Sequence, residues 1–205
     1  MLLYAVTDRA WLHGRSLAEC VHQALEGGAT FVQLREKDAS KEEAIALGKE
    51  LLSLCRAAGV PFVVDDDVDV ALAVGADGVH VGQDDVACAQ ARAALGPDAI
   101  VGVSAQTVEQ ALRAQADGAD YLGVGALIPT ATKPDAVDVT PEELRAICEA
   151  VDIPVVGIGG LNVGTIPQLE GLGADGAAVV SAIFAADDCL AAARELRSVC
   201  ERTFL

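Results

Sequence analysis

The chain is 205 residues long, 52% hydrophobic and 3% aromatic, with 14 Lys+Arg against 31 Asp+Glu for a formal net charge of -17. A chain this apolar can bury enough surface to offset the entropy of ordering, which excludes disorder, and its length suits one large domain or two small ones. No Lys/Arg cluster supplies the basic face that a nucleic-acid backbone requires, so that class of partner is excluded.

In chain order, Leu2 to Val6 reads as a first strand, and Ser16 caps a helix to Glu26, with Glu19 three residues on. Phe31 to Leu34 is the second strand. Ser40 then precedes a long helix, Lys41 to Ala58, with Ala44, Leu47, Leu51 and Leu54 on one face. Further strands are expected at Phe62–Val64, Gly78–Val81, Ile100–Val103, Tyr121–Val124, Val155–Ile158 and Ala177–Val180. The helices between and after them are expected at Val68–Val74, Val86–Leu95, Thr107–Gln115, Pro141–Ala150, Val163–Leu172 and Asp187–Arg202. Thr140-Pro141-Glu142-Glu143 makes a good helix start, with proline in the first turn and acids at the positive end.

A repeat runs through this series. Gly28-Ala29-Thr30, Gly75-Ala76-Asp77, Gly118-Ala119-Asp120 and Gly173-Ala174-Asp175 each stand just before a strand, spaced for two strand-helix units apiece. Glycine suits the left-handed residue on which helices end. The strands are near-continuous apolar runs, as in a parallel sheet buried on both faces. Eight strands alternating with eight helices predict a single (β/α)8 TIM barrel over residues 1–205. The alternative, a doubly wound open sheet, lacks the support of a Gly-x-Gly-x-x-Gly after the first strand.

The six cysteines, at 20, 55, 88, 148, 189 and 200, contain no Cys-x-x-Cys pair and no matching histidine spacing, so structural zinc has no support. Reduced thiols in a cytoplasmic protein are the economical reading, and Met1-Leu2-Leu3-Tyr4 shows no basic leader. The longest uncharged stretch, Ile153 to Leu169, is broken by four glycines and two prolines, which argues against a membrane span. Whether copies form a homo-oligomer is left open.

In such a barrel the active site lies past the C-terminal ends of the strands. Strand one ends in Thr7-Asp8-Arg9. Beyond strand two, alternation points Gln33, Arg35 and Lys37 one way and Leu34 and Glu36 the other, a clamp suited to a phosphate-bearing ligand. Strands three and four end in Asp65-Asp66-Asp67 and Gln83-Asp84-Asp85, adjacent acidic clusters that favour a shared Mg²⁺. Ser104 closes strand five with a hydroxyl available for a phosphate oxygen. After strand six, Thr130, Thr132 and Lys133 add two hydroxyls and an ammonium. Gly157-Ile158-Gly159-Gly160 and Val180-Ser181 offer backbone amides after strands seven and eight, where this fold recurrently cradles phosphate. His80 reads as a satisfied core or rim histidine, and Cys88 as a small buried hydrophobe.

These residues resemble the thiamine-phosphate synthase family. The resemblance rests on Tyr4-x-x-Thr7-Asp8, Gln33-x-Arg35-Glu36-Lys37, Asp66-Asp67, His80-x-Gly82-Gln83-x-Asp85, Gly102-x-Ser104, Pro129-Thr130-x-Thr132-Lys133, Gly157-Ile158-Gly159-Gly160 and Ser181. It implies a transferase joining 4-amino-2-methyl-5-hydroxymethylpyrimidine diphosphate to a thiazole phosphate, with loss of pyrophosphate. By the same resemblance Asp66 and Asp85 hold Mg²⁺, while Gln33, Arg35, Lys37 and Ser104 contact the pyrimidine diphosphate. Lys133 meets the departing diphosphate, and Thr130, Thr132, Gly160, Val180 and Ser181 take the thiazole phosphate. The family usually has Asn where this chain has Asp65, which would accept where an amide can donate. Two alternatives are a thiazole tautomerase-like isomerase and a non-catalytic phosphate-binding scaffold. Both sit poorly with an intact set of Arg35, Lys37, Asp66, Asp85 and Lys133.

Overall fold

A computed structural model describes residues 1–83, 86–128 and 138–205. The described strands close into a parallel barrel in simple sequence order: β1 (Leu3–Val6), β2 (Phe31–Leu34), β3 (Phe62–Asp65), β4 (Gly78–Val81), β5 (Ile100–Ala105), β6 (Tyr121–Val124), β7 (Val155–Ile158) and β8 (Gly176–Val179). Closure runs through β8 and β1, where Leu3 stands against Ala177 and Ala5 against Val179. That pairing excludes the open sheet. Around the barrel lie α1 (Leu17–Glu26), α2 (Lys41–Ala58), α3 (Val68–Val74), α4 (Cys88–Leu95), α5 (Val108–Ala116), α6 (Pro141–Ala150), a short α7 (Ser181–Phe184) and α8 (Cys189–Phe204).

Alternation along each strand divides the core in two. Phe62, Val64, Val79, Val101, Val103 and Leu122 point outward into the layer shared with the helices. Tyr4, Phe31, Val63, Tyr121, Val156 and Ala178 point inward and fill the barrel. Both tyrosines of the chain are inside, packed edge to face with Phe31 at centroid distances of 4.7 and 5.5 Å. Gly102 on β5 makes room for them: a Cβ there would overlap the Tyr121 ring.

The Gly-Ala-Asp repeat closes the lower end of the barrel. Its glycines at 28, 75, 118 and 173 take positive φ, the first three after a helix and the last after a 3-10 turn. The third residue of each repeat then binds the first or second amide of the strand before it. Asp77 accepts from Phe62 N at 2.8 Å, Asp120 from Val101 N at 2.7 Å, and Asp175 from Val155 N at 2.8 Å. Thr30 does the same to Leu3 N at 3.0 Å. An even strand thus fastens the start of the odd strand preceding it, which explains why the repeat spans two units.

Helix starts follow their side chains. Ser40 with Glu43 and Thr140 with Glu143 form reciprocal capping boxes. The expected helix over Val163–Leu172 is a correction: only a 3-10 turn forms, Ile166–Leu169. Asn162 Oδ1 accepts from Gly164 N and Thr165 Oγ1 from Asn162 N, and these local bonds compete with a helical ladder that Pro167 cannot join. Helix α4 starts two residues later than expected, since Ala87 at its N-cap has no side chain with which to accept. Five of the six thiols are buried, and burial raises Cys55 to about 12 and Cys148 and Cys200 to about 11. Cys88 is 6% exposed and packs as a small apolar group. Among the described residues, no helix is long and apolar enough to cross a membrane.

Candidate active site

A cleft of about 1100 Å³, counting space open to solvent, lies at the C-terminal ends of the strands. The structure brings nine of the expected site residues to its wall: Gln33, Arg35, Lys37, Asp65, Asp66, Ser104, Gly160, Val180 and Ser181. Asp85, Thr130, Thr132 and Lys133 lie outside the described residues.

The cationic side is built on β2. Thr7, fully buried at the end of β1, accepts at Oγ1 from Arg35 N at 3.0 Å and donates its own N–H to Gln33 O, fixing the strand end. The Arg35 guanidinium lies 3.3 Å from Asp8 Oδ2 and 3.8 Å from Asp65 Oδ2, with its side chain 19% exposed. Lys37, half exposed, stands 3.7 Å from Asp66 Oδ2. Glu36 faces the other way, as alternation requires, and pairs with Arg9 at 2.7 Å. Burial raises its carboxyl and Arg9 opposes that rise.

The three consecutive aspartates do three different things. Asp65 accepts from Gln33 Nε2 and pairs with Arg35. Asp66 adopts φ 61°, a left-handed backbone that aspartate tolerates better than most residues, and its N–H donates to His80 O at 2.8 Å. Asp67 points away and caps α3, accepting from Val70 N at 2.9 Å. Of the acidic run, then, Asp65 and Asp66 face the cleft. Among the described residues no group of three His, Cys, Asp or Glu side chains converges as a closed metal site.

Gly159 and Gly160 follow β7 with φ of 93° and 65°, and a Cβ on Gly160 would stand 2.8 Å from Ile128 O. Glycine is therefore required twice over, by backbone conformation and by the close approach of the chain after β6. Across from β7, Ser181 opens α7, and Val180 before it makes no side-chain cap bond. Within α7 the Ile183 and Phe184 amides donate to Val180 O at 3.2 and 3.1 Å, so the helix start is closed by backbone alone.

Sequence reasoning missed the floor of the cleft. His80 is 8% exposed with both nitrogens engaged, Nδ1 with Tyr121 Oη at 2.9 Å and Nε2 with Ser104 Oγ at 3.0 Å. It is a satisfied histidine, as expected, but it faces the site. Tyr121 Oη meets Tyr4 Oη at 2.8 Å, and Tyr4 donates to Gln33 Oε1 at 2.8 Å. Burial raises both phenols above their ordinary value, so they stay protonated. The available signal was the inward register of Tyr4, His80 and Tyr121. Gln106 also lines the cleft, and Gln83 donates to Ser104 O at 2.6 Å.

Three comparisons place this arrangement among known proteins. The chain is 53% identical over 198 residues to a thiamine-phosphate synthase of Chloroflexus aurantiacus, covering 96% of this chain and 91% of that one. It is 51% identical to a protein of the same name from Roseiflexus castenholzii, covering 97% and 87%. A solved structure of thiamine phosphate pyrophosphorylase from Pyrococcus furiosus superposes with a TM-score of 0.92 at 44% identity, over 100% of this chain and 97% of that one. Residues 3–183 match the family described as thiamine monophosphate synthase, and with relatives this similar along almost its whole length, the chain belongs to that family.

Proposed function

We propose that the protein is a transferase that joins a 4-amino-2-methyl-5-hydroxymethylpyrimidine diphosphate to a thiazole phosphate, releasing pyrophosphate and forming thiamine phosphate. One observation carries the reading: a single cleft is lined by Arg35 and Lys37 on one side and by Gly159, Gly160, Val180 and Ser181 on another, which supports two separate anion-binding regions. Arg35 and Lys37 supply one from β2, and the amides around Gly160 and Ser181 supply the other beyond β7 and β8. Two phosphorylated substrates need two such regions.

The pyrimidinylmethyl carbon can ionise because the ring amino group feeds electrons to it. Arg35 and Lys37 then neutralise charge that grows on the leaving diphosphate, with Lys133 in the same role by family resemblance. Gln33 and Ser104 contact the pyrimidine side. Gly160, Val180 and Ser181, with Thr130 and Thr132, hold the thiazole phosphate so that its ring nitrogen lies near the reacting carbon. A ring nitrogen with its own lone pair needs no general base.

An all-oxygen carboxylate site suits Mg²⁺, which usually takes one or two carboxylates and leaves its other positions to water and phosphate. Asp66 faces the cleft and fits that description; Asp66 and Asp85 would hold the ion, which would supply further charge neutralisation on the diphosphate. Asp65 is committed to Gln33 and Arg35 instead. Incubating the purified protein with both precursors and Mg²⁺ should yield thiamine phosphate and pyrophosphate. No product across several salt concentrations would overturn the proposal. The isomerase and scaffold alternatives gain no support from a cleft that retains Arg35, Lys37 and Asp66.

A further inference from the structure

Six side chains, one from each of β1 to β6, form an unbroken hydrogen-bonded line beneath the cleft. It runs Asp65, Gln33, Tyr4, Tyr121, His80, Ser104. The direction of every bond in this line follows from its first member. Asp65, paired with the Arg35 guanidinium, is a carboxylate, and a carboxylate only accepts. Gln33 must therefore turn its amide nitrogen to Asp65 and its oxygen to Tyr4. Tyr4 spends its single hydroxyl hydrogen on Gln33, so it accepts from Tyr121. Tyr121 in turn has no hydrogen left for His80 and accepts from Nδ1–H. A neutral imidazole carries one ring hydrogen, so Nε2 is bare and accepts the hydrogen of the Ser104 hydroxyl.

We propose that Asp65 is a positioning residue which, through this line, fixes His80 as the Nδ1–H tautomer and turns the lone pairs of Ser104 to the cleft. Ser104 then receives an N–H donor, the exocyclic amino group of the aminopyrimidine, and not the phosphate oxygen that its hydroxyl alone suggests. The ligand assignment rests on the function proposed above; the direction of the line does not. Protonated phenols at both tyrosines agree with it, since each must carry one hydrogen.

Asparagine at position 65 would reverse the line. Its oxygen would face Arg35 and its amide nitrogen Gln33, so each later bond would flip and His80 would become Nε2–H. Imidazole nitrogen resonances read the tautomer directly, at a pH about two units above the ordinary imidazole value of about 6.5. The other histidines, His13 and His22, are exposed and can be assigned by replacement with Gln. The expected result is Nδ1–H for His80 in the native protein, and Nε2–H or a mixture in Asp65→Asn. A native Nε2–H tautomer, or an unchanged tautomer in Asp65→Asn, would overturn the role of Asp65.

The ligand arm compares binding of 4-amino-2-methyl-5-hydroxymethylpyrimidine diphosphate with that of its deamino analogue. The native protein should prefer the amino compound about tenfold, and Ser104→Ala should narrow the preference to within about twofold. No preference in the native protein overturns the assignment of Ser104. Loss of product formation with the expected tautomer present removes the proposed reaction and leaves the hydrogen-bonded line intact.

Discussion

Gly102 is the position where one methyl group tests both the packing and the site. It lies in β5, opposite Tyr121 in register, and its backbone permits alanine. The added Cβ would overlap Tyr121 Cζ and Oη. That ring cannot simply step aside, since Phe31 packs against it at 5.5 Å and Tyr4 at 6.0 Å, and its hydroxyl is bonded on both sides. Overpacking of this kind costs about 1–3 kcal/mol. Two buried hydrogen bonds strained at Tyr121 add about 0.5–1.5 kcal/mol each. Restricting the unfolded chain returns about 0.4–1 kcal/mol. The net expectation for Gly102→Ala is a loss of about 2–4 kcal/mol, or about 5–15 °C in Tm for a domain of this size. Gly123→Ala is the matched control: its Cβ would meet His80 Cε1 at 3.1 Å, a contact relieved by a few tenths of an ångström and costing about 1 kcal/mol or less. Urea unfolding should show the midpoint of Gly102→Ala well below that of Gly123→Ala at equal slope. Equal midpoints, or a Gly102→Ala protein as stable as the native one, would refute the view that Tyr121 is held in place from all sides.

Other expectations follow from separate parts of the molecule. Asp175→Ala leaves the first amide of β7 without its carboxylate acceptor and should cost about 1.5–3 kcal/mol in denaturant unfolding, with turnover per folded molecule unchanged. Lys37→Ala should lower kcat about 10²- to 10³-fold in a pyrophosphate-release assay while Tm stays within about 2 °C; a fall in Tm that accounts for the lost activity would remove its catalytic role. Thr140→Ala should destabilise by about 1 kcal/mol through loss of the cap on α6, read as a lower urea midpoint. Hydrogen bonds from Ser40 and Thr140 hold Glu43 and Glu143 below the ordinary carboxylate value of 4.5. A depressed folded value contributes stability above the unfolded value, lost as pH falls through the folded one. Tm measured from pH 6 to 3 should therefore decline less steeply in Glu43→Gln than in the native protein.

Much of the barrel could be read from local pattern. β2, β4, β6 and β7 fall where apolar runs between turn signals put them, and α2, α3 and α6 match residue for residue, because side-chain caps mark the start of all three and Gly59 and Gly75 mark the ends of α2 and α3. Val163–Leu172 failed because short-range bonds from Asn162 and Thr165 outweighed its apolar spacing. The run Asp65-Asp66-Asp67 read as one acidic cluster. Its members separate only when backbone direction is known, since a left-handed turn at Asp66 sends Asp67 to a helix cap. The Gly-Ala-Asp repeat was visible, yet what its aspartates bind depends on which strand lies alongside.

The sequence by itself determined the order of the strands, their apolar runs, and the placing of Gln33, Arg35 and Lys37 on one side of a strand end, because each shows in a pattern a few residues long. Its charge of -17 argues against a nucleic-acid partner while leaving room for small anions, since Arg35 and Lys37 are gathered at one strand end. Closure of the barrel was decided only by the tertiary structure, through β8 meeting β1. So was the line from Asp65 to Ser104: six residues spread from position 4 to position 121 become neighbours because six strands lean together, and no local pattern records the direction in which their hydrogens must point.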